Sequence, residues 1–141
     1  MEIQKVIDQY HVALDQFSRG DPQPVKLLYS HKEDVSLINP FGQVEVGWNK
    51  VSAALDFASS HFKDGEVTNF EILASYKTSE LVTIFEIEKW KAKVSGRSEV
   101  SPFDLRVTST FRLEESNWKL VHRHADPISG FNADGPLRKD L

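Results

Sequence analysis

The chain reads as an α+β domain, with its helices gathered in the first half and one antiparallel sheet in the second. Two patterns predict this. Apolar residues as far as Phe62 recur largely at helical steps, and four long stretches rich in β-branched and aromatic residues follow, at roughly 67–77, 81–94, 103–113 and 118–126. The polar connections between those stretches are Thr78-Ser79-Glu80, Ser95 to Pro102 and Glu114 to Asn117, short enough to join antiparallel neighbours. Helices first and a meander last imply one sheet with its helices packed on a single face.

Ile3, Val6, Ile7, Tyr10, Leu14 and Phe17 mark one face of an amphipathic helix that Gly20 stops. Asp21 ahead of Pro22 opens a short second helix carrying Val25, Leu28 and Tyr29. Alternation from Val35 to Asn39, the turn Pro40-Phe41-Gly42, and Val44 with Val46 predict a hairpin. Trp48, Val51, Leu55, Ala58 and Phe62 write a third helix, which Asp64-Gly65 ends. After Pro127 come Gly130, Gly135, Pro136 and several charges, so a single domain over 1–128 carries a loosely held tail over 129–141.

With 141 residues, the chain can bury about two-thirds of the surface it exposes when unfolded. It has no cysteine, which excludes disulfides, thiolate zinc sites and cysteine nucleophiles and fits a reducing cytoplasm, the compartment expected. Its 17 basic and 21 acidic residues, a formal net charge of −4, are scattered, with no basic stripe for nucleic acid. Charges break the N-terminal segment every few residues, so no membrane span or signal is expected. A glycine-rich phosphate loop, a nucleophile elbow and a dinucleotide fingerprint are all missing, and no cofactor is expected.

Strand phase decides which side chains point at the helices. Over 103–113, Leu105, Val107, Ser109, Phe111 and Leu113 share the inner face, and Arg106, Thr108, Thr110 and Arg112 the outer. In the last stretch Trp118 and Leu120 set the inward phase, which continued alternation hands to His122, His124 and Asp126. Over 81–94 both faces carry large apolar groups, with Leu81, Phe85 and Ile87 against Val82, Ile84, Glu86, Glu88 and Trp90. The outer face, with Phe85 and Ile87, is therefore expected to be covered, most simply by a second copy of the chain.

Three stretches carry a family resemblance. They are Phe17-Ser18-Arg19-Gly20-Asp21; Ile38-Asn39-Pro40-Phe41-Gly42 with Gly47-Trp48; and Leu105-Arg106-Val107-Thr108 through Phe111-Arg112 to the run Trp118-Lys119-Leu120-Val121-His122-Arg123-His124-Ala125-Asp126-Pro127. They resemble the nuclear transport factor 2-like superfamily, and the last run resembles its SnoaL-like domain proteins. The resemblance implies a cone-shaped, cystatin-like sheet wrapped around N-terminal helices. It also implies a ligand cavity on the concave side and a homodimer through the convex face. Within that superfamily, ketosteroid isomerase needs a carboxylate base and an oxyanion hole of a tyrosine and a protonated aspartate. The matching positions here are Asn39, Ala13 and Ser109, so none of the three side chains is kept and that mechanism is not expected.

His122 and His124 are candidates for general acid and base, with Asp126 or Glu86 orienting an imidazole, a set suited to proton transfer, dehydration or cyclisation. The same groups could instead form a buried hydrogen-bonded network closing the mouth of the cone. Two histidines at i and i+2 lie about 6–7 Å apart and could reach one ion, but spacing fixes no third ligand beyond Asp126, so no metal site is assigned. Asn39, Trp48, Glu86, Ser109 and Trp118 are candidate ligand contacts, although Asn39-Pro40 is first of all a turn signal. Arg106 is expected at an interface or in a surface salt bridge, unless a bulge in its strand swings it into the cavity as an anion anchor, and His11, His31 and His61 are expected in solvent. The expected function is binding of a small, largely apolar molecule in an internal cavity. The chain would act either as a cofactor-free acid–base lyase, isomerase or hydrolase, or as a non-catalytic ligand-binding or dimeric assembly module.

Overall fold

Helix α1 (Ile3–Phe17) buries Val6, Ile7, Tyr10, Ala13, Leu14 and Phe17, the stripe its periodicity writes. These positions come from a computed structural model describing residues 2–128, and the tail expected over 129–141 lies outside the described residues. Gly20, at φ 93°, ends the helix by donating its N–H to Phe17 O at 3.0 Å, a left-handed conformation that costs glycine little. Asp21 Oδ1 then accepts from Gln23 N at 3.1 Å, starting α2 (Gln23–Leu28). Asn39 folds the hairpin of β1 (Ser36–Ile38) and β2 (Val44–Val46), its side-chain oxygen accepting from Phe41 N and Gln43 N at 3.1 Å each. Helix α3 (Trp48–Ser59) follows.

The long strands β3 (Phe62–Lys77), β4 (Leu81–Val94), β5 (Ser101–Glu114) and β6 (Asn117–Pro127) complete a six-stranded curved sheet in the order β2-β1-β6-β5-β4-β3. Its pairs are antiparallel except β1 with β6, which run parallel and bring Ser36 beside His122 and Ile38 beside His124. The helices lie on one face, over Val82, Ile84, Leu105, Val107, Phe111 and Leu120, all buried. Phe111 meets the Tyr10 ring edge-on at 5.4 Å. Each such large side chain contributes about 1.5–3 kcal/mol by leaving water.

Two expectations are corrected. Helix α3 stops at Ser59, and Asp64-Gly65 lies within β3, where the register slips between Lys63 and Glu66 and Asp64 takes φ 53°. The aspartate-glycine pair is thus a bulge in a strand, not the end of a helix.

The second correction concerns β6. Phe111 pairs with Leu120 but Thr110 pairs with His122, so Val121 is an extra residue with no partner of its own. An inserted residue inverts every side chain beyond it. His122, His124 and Asp126 therefore sit on the outer face, opposite Thr110, Thr108 and Arg106, while Arg123 and Ala125 point inward. The bulge is held from outside the strand pair, because Ser30 N donates to Leu120 O at 2.8 Å.

Candidate functional site

With the phase inverted, the inner end of β6 delivers a guanidinium where two imidazoles were expected. Arg123 is 7% exposed and Glu88 fully buried. Arg123 Nη1 donates to Glu88 Oε2 and Nη2 to Glu88 Oε1, both at 2.8 Å, a bidentate pair. Around it, Tyr10 Oη accepts from Arg123 Nη1 at 2.6 Å and shares a hydrogen bond with Ser109 Oγ at 2.6 Å, and Trp90 Nε1 donates to Glu88 Oε1 at 2.9 Å. Burial opposes the charge on Arg123, but the Glu88 carboxylate and Tyr10 outweigh it and hold the guanidinium protonated well above its usual range. Burial likewise pushes the Tyr10 phenol up, so it stays neutral.

One strand step further along β4, Glu86 is fully buried, with Oε1 2.8 Å from His11 Nε2 and Oε2 without a partner. The His11 ring lies flat against Phe70, centroids 3.8 Å apart, so this histidine is half-buried and partnered, not solvated as expected. Burial raises the Glu86 pKa, the bond to His11 offsets that in part, and neighbouring Glu88 adds to the rise. A raised carboxyl pKa means the fold keeps a proton that the unfolded chain releases, so stability falls as pH rises from the ordinary carboxylate range through the raised value. Glu86→Gln should therefore be more stable than the parent at alkaline pH, by about 1 kcal/mol or more. Urea denaturation should show that gain shrinking toward acid pH; an equal change at both ends would remove charge burial as its cause.

A cavity of about 30 Å³ opens beside the ion pair, walled by Phe17, Leu37, Leu55, Ala58, Phe62, Trp90 and Leu105, with Asn39 and Pro40 at one side and Arg123 at the other. That volume holds about two waters. Of the expected contacts, Asn39 reaches it, but its oxygen is committed to its own turn and its amide donates to Gln43 Oε1 at 2.7 Å. Glu86 and Ser109 point inward and are tied to His11 and Tyr10 without lining the cavity. Neither of the expected tryptophans, Trp48 and Trp118, lines it. Trp48 stacks on His31 at 3.9 Å, and Trp118 packs at the sheet end opposite Leu113.

On the outer face His122 Nδ1 bonds Ser36 Oγ at 2.7 Å, and His124 Nε2 bonds Asp126 Oδ1 at 3.2 Å. Partial burial, and then His124, lowers the His122 pKa, so this imidazole resists protonation. Arg106 lies outward as expected, 57% exposed and 4.0 Å from Asp126. Among the described residues no three His, Asp or Glu side chains converge as metal ligands, and no helix is long and apolar enough to cross a membrane.

Architecture and sequence profile agree on kinship: the profile of the SnoaL-like domain family matches residues 3–128. The chain belongs to the SnoaL-like domain family. No curated protein sequence matches it. Among solved structures, this SnoaL-like chain is similar to a nuclear transport factor 2-like superfamily protein from Salmonella enterica serovar Typhimurium, with a TM-score of 0.76 at 16% identity over 94% of this chain and 93% of that one. It is also similar to a ketosteroid isomerase-like protein from Erwinia carotovora atroseptica, with a TM-score of 0.73 at 17% identity over 91% and 95% of the two chains. A protein with a cystatin-like fold from Caulobacter vibrioides superposes with a TM-score of 0.67 at 17% identity over 90% and 87%. At these identities the likeness is one of fold.

Proposed function

We propose that this SnoaL-like domain is a non-catalytic binding module, taking the end of a small apolar molecule into its interior. The observation that carries this reading is the make-up of the cavity wall. Its polar side chains are Asn39 and Arg123, the first spent on its turn and the second locked to Glu88, so neither is free to exchange a proton with a ligand. Apolar walls with a few fixed polar groups suit binding. At about 30 Å³ the cavity admits only part of a ligand unless the Pro40 side opens. Nile red, a neutral apolar fluorophore, should brighten on binding, and Ala58→Phe, which fills the cavity, should weaken that several-fold. His122→Ala and His124→Ala should leave it unchanged. Turnover of any added compound that vanishes in either histidine variant would overturn the reading.

A specific observation favours pairing of two copies through the outer face as well. Phe85 and Ile87 there are half-buried, flanked by Thr83, Thr108 and Thr110, while Val44 and Val46 at the sheet edge are 67% and 62% exposed. A single protomer leaves this apolar surface to water. Light scattering should find a dimer for the parent and a folded monomer for Phe85→Lys combined with Ile87→Lys; a dimer persisting in that variant would place the contact elsewhere.

A further inference from the structure

A second, open cleft of about 360 Å³ lies where the end of α3 meets the turn between β4 and β5, lined by Ser60, His61, Lys63, Lys93, Arg97 and Ser98 among others. We propose that this cleft binds a small organic anion of the phosphate-monoester class, separately from the interior cavity.

Three cations converge there on a chain whose formal net charge is −4. Asp64 pairs with Lys93, Oδ2 to Nζ 2.7 Å, but among the described residues no carboxylate lies within ion-pair distance of Lys63 or Arg97. The register sets Lys63 directly opposite Lys93. Like charges facing each other across a strand pair weaken a sheet, and the single Asp64 carboxylate answers both lysines, leaving an excess of positive charge. An anion held between them turns that repulsion into attraction, and lysine and arginine together are the usual recognition set for phosphate.

Backbone hydrogen bonds shape the floor of the cleft, over which the exposed Lys63 and Arg97 side chains reach. Ser95 and Gly96 both take positive φ, 53° and 79°, and Arg97 N donates to Val94 O at 3.2 Å, closing a tight turn that holds Arg97 near the end of β4. Ser95 N donates to His61 O at 2.9 Å, tying that turn to the opposite wall. The His61 ring, 4.4 Å from Phe57 and anchored through Nδ1 to Phe57 O at 2.9 Å, supplies a flat aromatic surface for an organic group beyond the anion. The volume falls within the range of small-molecule sites.

Isothermal titration of the full chain with phenyl phosphate, at fixed ionic strength against a sodium chloride control, should give saturable binding. A parallel titration with inorganic phosphate should be weaker, separating an ester from the free anion. Lys63→Gln with Arg97→Gln should reduce phenyl phosphate affinity by about tenfold or more. The melting temperature should hold or rise, because the substitution removes a like-charge pair. Lys119→Gln, on β6, should leave affinity unchanged. No saturable heat at millimolar ligand, equal affinities for the ester and inorganic phosphate, or undiminished binding in the double variant would each overturn the proposal.

Discussion

Replacing Arg123 with methionine is expected to cost the fold about 3–5 kcal/mol, because the change strands the Glu88 carboxylate, fully buried, without its countercharge. Trp90 Nε1 still donates to that carboxylate and Tyr10 loses its own donor, so the interior keeps a charge answered by one neutral hydrogen bond. The melting temperature should drop by roughly 10 °C or more. Arg123→Met combined with Glu88→Met should recover most of the loss, since an apolar pair of similar volume asks for no counterion. Urea unfolding of the two single variants and the double provides the comparison. A loss below about 1 kcal/mol for Arg123→Met would mean that Arg123 does not point inward, and the phase assigned to β6 would fall with it.

Gly65→Ala should cost about 1–3 kcal/mol by overpacking. A Cβ at this position would stand 2.9 Å from Ala92 Cβ and 2.9 Å from Ser18 Cβ, with the Ser18 carbonyl closer still. Helix α1 cannot easily retreat, because Asp15 Oδ1 accepts from Val67 N at 2.9 Å and Arg19 Nη1 donates to Gly65 O at 3.4 Å, fixing the end of the helix on the β3 bulge. Gly42→Ala makes the control, as its Cβ would meet nothing within 4 Å and pays only for its left-handed backbone. Equal losses for the two glycine variants, in thermal melts, would refute close contact as the cause.

Much of this architecture is legible from local pattern. The stripe on α1, the hairpin at Asn39-Pro40 and the inner face of β5 each follow from spacing within one element, where nothing distant interferes. The failure at β6 has a different origin. Val121 is a good strand former, with no glycine or proline to flag a bulge, and the bond that supports it comes from Ser30, far away in sequence. Counting by twos across Val121 therefore put the imidazoles inside. A signal was nevertheless present, since Glu86 and Glu88 share the apolar inner face of β4 and buried carboxylates demand a cation. Arg123, between the two histidines, is a basic residue on the last strand that only an inverted phase can bring to them. Trp48 shows a similar limit, because stacking against His31 depends on how the segment after α2 packs and not on any repeat in the sequence.

The parallel ladder between β1 and β6 also has a kinetic consequence. Ser36 and His122, hydrogen-bonded in the finished sheet, are 86 positions apart along the chain. The short β1–β2 hairpin cannot be seated until nearly every other strand has been made, and closing so distant a contact is slow. During synthesis the hairpin must wait for β6, a template that follows all the other strands. Substitutions in the hairpin should then accelerate unfolding and leave the folding rate almost untouched.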